Sequence, residues 1–339
     1  MIITIQEDKF YFDGSPTYSE WPEANPKALG RLMNSRMVQA TFADENPSTA
    51  ALFTYPDGTL LDPDRQTDEF IAALPSYREH GVIAVTVNFQ GGYPRYHVHL
   101  TPEQFLQDWD NNAFTPDGAL KPAYAARMQR VIAAADAQKI AVIVGFFYFG
   151  QNHKLVDEAA VQRATREATQ FLMAVGRRNV LVEINNESNL GYVHPILQPH
   201  RVHELIAQVQ AQTDGTIPVS TSYGGGALPS EEVIAGADYI LLHGNSQGPA
   251  RIQSIVEQVR AQTNKPIVFN EDSTRLENMQ AAWNAGASWG YYDQGGRTPY
   301  ADGFQSPPTN WRINTPEKTA FFKGVAALVG IPAASAQQT

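Results

Sequence analysis

The chain predicts a single closed (β/α)8 TIM barrel, an α/β fold, on three observations. Eight apolar, strand-like runs alternate with helix-like segments from Arg36 to Leu328. No long Gly/Pro/Ser-rich linker divides the 339 residues, and barrels of this type commonly use ~250 residues or more as one domain. The first strand-to-helix turn, Phe42-Ala43-Asp44-Glu45-Asn46-Pro47, lacks the Gly-rich phosphate fingerprint of a doubly wound open sheet, the competing architecture. The expected organisation is one domain over 1–339, with an N-terminal hairpin over 1–18, the barrel over 36–329 and a tail over 330–339.

Each element has its own signal. Ile3 to Tyr18 alternates apolar and polar residues around Glu7-Asp8 and Asp13-Gly14, the pattern of a short hairpin plugging a barrel bottom. Strand one is read from Arg36 to Phe42, followed by a helix over 67–80 that Gly81 ends. Strand two is read over 82–89. A helix over 122–138 leads to strand three at 140–147, whose nearly unbroken apolar sequence suits a parallel strand buried on both faces. The helix over 157–176 sets Arg163, Arg166 and Glu167 opposite Val161, Ala164, Ala168, Phe171 and Leu172. Strand four at 180–184, a helix over 200–212, strand five at 217–222, a helix over 231–235 and strand six at 239–243 continue the alternation. A helix over 250–262, strand seven at 266–271, a helix over 277–285, strand eight at 288–292 and a helix over 315–328 complete it. Long loops after strands two and eight, about 90–120 and 294–314, then fall at the carboxyl-end mouth, where barrels keep their sites.

Composition removes several functions. The net charge of −10, with scattered acids, disfavours nucleic acid and anionic membranes and suits a neutral partner. Without cysteine there are no disulfides, no thiolate catalysis and no Cys-ligated zinc. No apolar run approaches the ~20 residues of a membrane span. Met1 to Ile5 runs into Glu7 and Asp8 without the pattern of a signal peptide, which leaves a cytoplasmic protein and a mature secreted form equally open. No cofactor or metal is expected, and the sequence carries no signal of oligomeric state.

The chemistry resides in two carboxylates. Glu187, in Val182-Glu183-Ile184-Asn185-Asn186-Glu187-Ser188, and Glu271, in Ile267-Val268-Phe269-Asn270-Glu271-Asp272, each stand where an apolar run gives way to a polar loop. As ends of strands four and seven they would share one mouth. Retaining glycoside cleavage needs two carboxyl groups ~5–5.5 Å apart, one to protonate the leaving oxygen and one to attack the anomeric carbon. Asp272 follows the second glutamate and is expected to point away, whereas Glu183 has the parity of Glu187 and is a rival acid.

Asn186-Glu187 at the end of strand four and Glu271 at the end of strand seven resemble the clan A superfamily of (β/α)8 retaining glycoside hydrolases, along the whole barrel but through short motifs. The resemblance implies Glu187 as acid/base, Asn186 as ligand of the sugar 2-hydroxyl and Glu271 as nucleophile, acting on a β-linked oligo- or polysaccharide. It also implies Trp289 on strand eight as the floor of the subsite for the cleaved sugar, and His243 at the end of strand six as a neighbour of the nucleophile. The clan often carries an Arg near the nucleophile; here Arg36 begins the strand as read, at the wrong end, which leaves Arg95 or Arg297 to fill in from a loop. Other polar strand ends and loop residues complete the expected shell: Gln39, Asn88, Gln90, Tyr223, Tyr148 and His153, with Trp109, Tyr300 and Trp311 as outer platforms.

Two readings compete. A non-catalytic carbohydrate-binding barrel would use the same cleft without the pair. A metal-dependent barrel hydrolase would use His97-Val98-His99, but those residues follow strand two rather than strand one and no second His pair accompanies them.

Overall fold

Runs such as Ala141-Val142-Ile143-Val144 and Val180-Leu181-Val182 bury both faces only within a parallel sheet wrapped by helices. In the computed structural model, which describes residues 1–92, 109–296, 298 and 300–332, these runs form the wall of a barrel. β1 (Ile3–Gln6), β2 (Lys9–Phe12) and β3 (Ser15–Pro16) make the small antiparallel sheet that the N-terminal alternation predicts. The barrel strands are β4 (Asn34–Arg36), β5 (Ala84–Asn88), β6 (Ala141–Tyr148), β7 (Val180–Asn186), β8 (Val219–Ser220), β9 (Ile240–His243), β10 (Ile267–Glu271) and β11 (Gly290–Tyr291).

Strands pair in parallel in the order β11-β4-β5-β6-β7-β8, and β9 pairs with β10. Shorter links close the ring. A bridge between Val268 and Ser288 joins β10 to the approach to β11, and Asp238 N donates to Val219 O at 2.9 Å between β8 and the approach to β9. Around the barrel lie α1 (Pro47–Ala50), α2 (Pro63–Glu79), α3 (Pro122–Ala137), α4 (Glu158–Val175), α5 (Val202–Thr213), α6 (Glu231–Gly236), α7 (Pro249–Arg260), α8 (Leu276–Asn284) and α9 (Pro316–Val329). Side-chain caps from Asp62, Asp157, Ser230 and Thr315 start four of them by accepting the orphan N–H groups of the first turn.

The first barrel strand departs from its expected span. Read over 36–42, it spans Asn34–Arg36; the backbone turns at Met37, and Val38–Thr41 wind into a 3-10 turn. The apolar residues that extend the strand pattern are buried for another reason. Phe42 packs on Phe53 with ring centroids 4.8 Å apart, in a satellite cluster with Trp109 and Tyr148 beneath the mouth. Arg36 therefore ends its strand instead of starting it, and this places its guanidinium among the mouth residues. The expected tail, from residue 333 onward, and His97, His99, Arg95 and Arg297 lie outside the described residues.

The strand-eight side is sealed by aromatic packing. Phe321 of α9 is fully buried, stacks on Tyr291 at 4.4 Å and meets Phe322 at 4.9 Å. Phe321→Ala is expected to cost ~3–5 kcal/mol through lost transfer energy and the cavity left behind. Urea unfolding should show a lower midpoint with an unchanged slope.

Candidate active site

Strand alternation alone would send one of two adjacent residues away from the mouth. Two backbone irregularities overcome this. At the end of β7, Glu187 adopts a left-handed conformation (φ 55°), so that both Asn186 and Glu187 line the same cavity. The turn is held by Glu187 N donating to Ser222 Oγ at 3.0 Å and Ser188 N donating to Ser222 O at 2.9 Å. On β10 the pairing register shifts between Phe269 and Glu271, setting two residues of β10 against one of β9. Asn270 and Glu271 thereby both reach the interior: Asn270 Nδ2 donates to Glu183 Oε2 at 3.1 Å, and Glu271 faces the cavity.

Five ionisable groups meet there. Arg36 Nε lies 2.6 Å from Glu271 Oε2 and Arg36 Nη1 lies 3.1 Å from Glu183 Oε2, while Nη2 donates to Asn186 Oδ1. Asn245 Nδ2 donates to Glu271 Oε1 at 2.7 Å. His243 Nδ1 stands 3.0 Å from Glu187 Oε1 and 3.9 Å from Glu271 Oε2, and its Nε2 stands 3.8 Å from Glu183 Oε1. One oxygen of Glu187 and one of Glu271 lie within 4.8 Å of each other.

Burial opposes charge on each group, and the partners decide the outcome. Against its burial, Glu183 is held at about 2 by Arg36 and His243. His243 is lifted to about 9, again against burial, by Glu271, Glu183 and Glu187. Glu187 opposes burial too: its carboxyl lies below the ordinary value because the His243 hydrogen bond and charge, aided by Arg36, prevail. Glu271 lies above it; burial dominates, His243 and Arg36 pull the other way, and the Glu187 charge adds to burial. Three carboxyls facing two cations leave one negative charge, which a single proton on the cluster would neutralise. Glu187, His243 and Glu271 also converge closely enough to offer ligand atoms to a cation. A metal ion would have to displace the His243 proton and compete with Arg36 for Glu271.

The cavity, about 410 Å³, is lined by Arg36, Val38, Gly92, Tyr148, Phe149, Asn186, Glu187, Asn245, Glu271, Tyr292, Gln294 and Gln305. A second polar cavity of about 330 Å³ shares Asn245, Tyr292 and Gln294 with it, so the mouth continues as a groove. Of the residues expected from sequence, Glu187, Glu271, Asn186 and Tyr148 line the cavity, and His243 lies fully buried against the two glutamates. Glu183, fully buried beneath, is out of a substrate's reach and so is no rival acid.

The other expected residues lie elsewhere. Trp289 is fully buried; its Nε1 donates to Asp272 Oδ2 at 2.8 Å and its ring packs 6.0 Å from Phe321. Trp289 and Tyr291 share a parity and face α9, which leaves Tyr292 as the cavity aromatic of strand eight. Asp272 turns from the catalytic glutamates to accept from Asn278 Nδ2 and Trp289 Nε1, and it lines the second cavity. Asn88 is buried against Gly145, where an added Cβ would come within 2.2 Å of its Oδ1. Gln90 ties the loops together through Asn112 Oδ1 and Tyr148 N, and Gln39 donates to Gly92 O at 2.8 Å behind the cavity wall. Tyr223 is buried toward Pro199, and His153 is exposed on a 3-10 turn. Trp109 and Trp311 are buried beneath loops, and Tyr300 packs on Tyr55.

No family model matches the sequence, and neither does any curated protein. Solved structures match in shape. A β-1,4-D-mannanase from Cryptopygus antarcticus aligns with a TM-score of 0.60 at 11% identity, over 96% of this chain and 94% of that one. An endo-1,4-β-mannanase from Eisenia fetida gives 0.56 at 13%, over 97% and 95%. A glycoside hydrolase family 5 structure from Bacteroides vulgatus gives 0.56 at 12%, over 91% and 67%. The chain has the fold of these glycoside hydrolases. At such identities the likeness carries the architecture, and the site must be argued from its own residues.

Within this glycoside hydrolase fold the buried charges tie stability to pH. Glu183, at about 2 in the folded protein against ~4.3 unfolded, contributes stability above pH ~4.3 that is lost as the pH falls toward about 2. His243, raised from 6.5 to about 9, contributes fully below pH 6.5, and this is lost as the pH rises through about 9. Denaturant midpoints followed against pH are expected to decline on both flanks, and His243→Asn to remove the alkaline decline. An alkaline flank unchanged by that substitution would show that His243 does not carry it.

Proposed function

We propose that the protein is a retaining glycoside hydrolase acting on a β-linked oligo- or polysaccharide, with Glu187 as acid/base and Glu271 as nucleophile. The observation that carries this reading is the approach of their carboxyl oxygens to within 4.8 Å in a mouth cavity. Double displacement requires ~5–5.5 Å between carboxyls, whereas inversion leaves ~6.5–9.5 Å for a water. The mannanase and family 5 neighbours support a β-linked substrate, and the groove continuing past the cavity supports more than one sugar unit.

The steps follow from the geometry. Glu271, oriented by Arg36 and Asn245, attacks the anomeric carbon as Glu187 gives its proton to the leaving oxygen. Glu187 then takes a proton from water, which attacks the same carbon and releases Glu271. Because Asn186 Oδ1 accepts from Arg36, its NH2 is the group left to donate to a sugar hydroxyl. The division of roles rests on the resemblance of Asn186-Glu187 and Glu271 to clan A; charge alone in the free site favours the proton on Glu271, so substrate must draw it to Glu187.

On a panel of β-glycosides, Glu187→Gln and Glu271→Gln are each expected to lower turnover ~10²–10⁴-fold while saccharide affinity persists. Product NMR at early times should give the substrate's anomeric configuration, and a 2-fluoro glycoside should label Glu271. Unaltered function in both variants would leave the carbohydrate-binding barrel, and a label on Glu187 would exchange the two roles.

A further inference from the structure

Beneath the catalytic pair lies a carboxylate that no substrate can touch. Glu183 sits on β7, four residues before Glu187, fully buried in the barrel interior. Its Oε2 takes Arg36 Nη1 and Asn270 Nδ2, each at 3.1 Å, and its Oε1 faces His243 Nε2 at 3.8 Å. Neither Glu183 Oε1 nor His243 Nε2 has a hydrogen-bond partner among the described residues, so at these two atoms each charge faces the other, beside the closer Arg36–Glu183 and His243–Glu187 pairs.

We propose, on the basis of the glycosidase reading above, that Glu183 is a positioning residue: it holds Arg36 and His243 beneath the mouth and so keeps one proton on the Glu187/Glu271 pair. Arg36 and His243 alone would neutralise both catalytic carboxylates, and a doubly ionised pair has no acid to give. Glu183 takes up one positive charge, so a neutral cluster must retain a proton on the pair. Among the described residues the charged groups facing His243 are Glu183 and Glu187 of β7, Glu271 of β10 and, through those carboxylates, Arg36 of β4. The nearby phenols of Tyr192, Tyr239 and Tyr292 stay neutral because burial raises them, and the Ser222 hydroxyl, which accepts from Glu187 N, carries no charge.

Removing the Glu183 charge lowers proton affinity at both His243 and the pair, so every effect on the alkaline side has one sign. In the full-length protein, histidine-selective 15N NMR reads the His243 titration without substrate. Glu183→Gln is expected to lower its midpoint by ~1–3 pH units, and Glu183→Asp, whose charge sits one methylene farther away, by an intermediate amount. On a glycoside that the wild type cleaves, the alkaline limb of kcat/KM should move down in the same order. An unmoved midpoint in folded Glu183→Gln, or lower activity with the alkaline limb in place, overturns the proposal by reducing Glu183 to a structural role. If Glu183→Gln does not fold, Glu183→Asp decides, and profiles coincident with wild type overturn it. Should the wild type cleave no glycoside, the glycosidase reading fails, while the imidazole titration still decides whether Glu183 holds His243 charged.

Discussion

Arg36 links two of the three buried carboxylates of the site, and does so from a third strand. It stands on β4, meets Glu183 of β7 through Nη1 and Glu271 of β10 through Nε, and is almost fully buried. A cation in such a place is tolerable only if anions and hydrogen-bond acceptors surround it. Those anions in turn need the cation. The barrel interior therefore tolerates each of these charges only with the others in place, and the correct closure of β4 against β7 and β10 and the assembly of the site become one event. A lysine would carry the charge but could not reach two carboxylates and Asn186 from one planar fork.

The backbone cooperates at the two points where regular geometry would fail. A left-handed residue other than glycine costs roughly 1–3 kcal/mol, and Glu187 adopts that conformation next to Asn186 so that neighbouring residues face the same cavity. The register shift on β10 does the same for Asn270 and Glu271. Hydrogen bonds from Glu187 N and Ser188 N to Ser222 offset the strain from the adjacent strand. Both irregularities fall at the carboxyl ends of their strands, where the ladder is ending and a lost pairing costs least.

Which parts of this were legible in the sequence follows from the same physics. Glu187 and Glu271 stand out because each closes an apolar run through asparagine, Asn185-Asn186 and Asn270, the change from apolar to polar that marks a strand's end. Strands three, four and seven were readable because burial on both faces demands continuous apolar sequence. The place of Arg36 is hidden because Val38, Ala40 and Phe42 extend the apolar pattern past it, Val38 to line the cavity, Ala40 in the main core and Phe42 in the satellite cluster. For Trp289 strand alternation carries the answer, since Trp289 and Tyr291 must face one way and Tyr292 the other. Gln39, Asn88 and Gln90 were ambiguous in principle: an amide at a strand end is equally suited to binding a sugar or to satisfying loop carbonyls, as Gln39 and Gln90 do. Asn245, Gln294 and Gln305 reach the cavity from irregular segments that carry no periodic signal.

The character of the lining bears on what enters. Tyr148 and Phe149, with ring centroids 4.3 Å apart, form one aromatic flank and Tyr292 another, with the amides of Asn186, Asn245, Gln294 and Gln305 between them. Flat apolar faces suit sugar C–H surfaces, and amides suit hydroxyls as both donors and acceptors. Among the described lining residues Arg36 is the one cation, and Glu183 and Glu271 already occupy it. Among these described residues a carboxylate on a sugar would meet Glu187 and Glu271 with no unengaged cation beside them, a cost that hydroxyls do not incur.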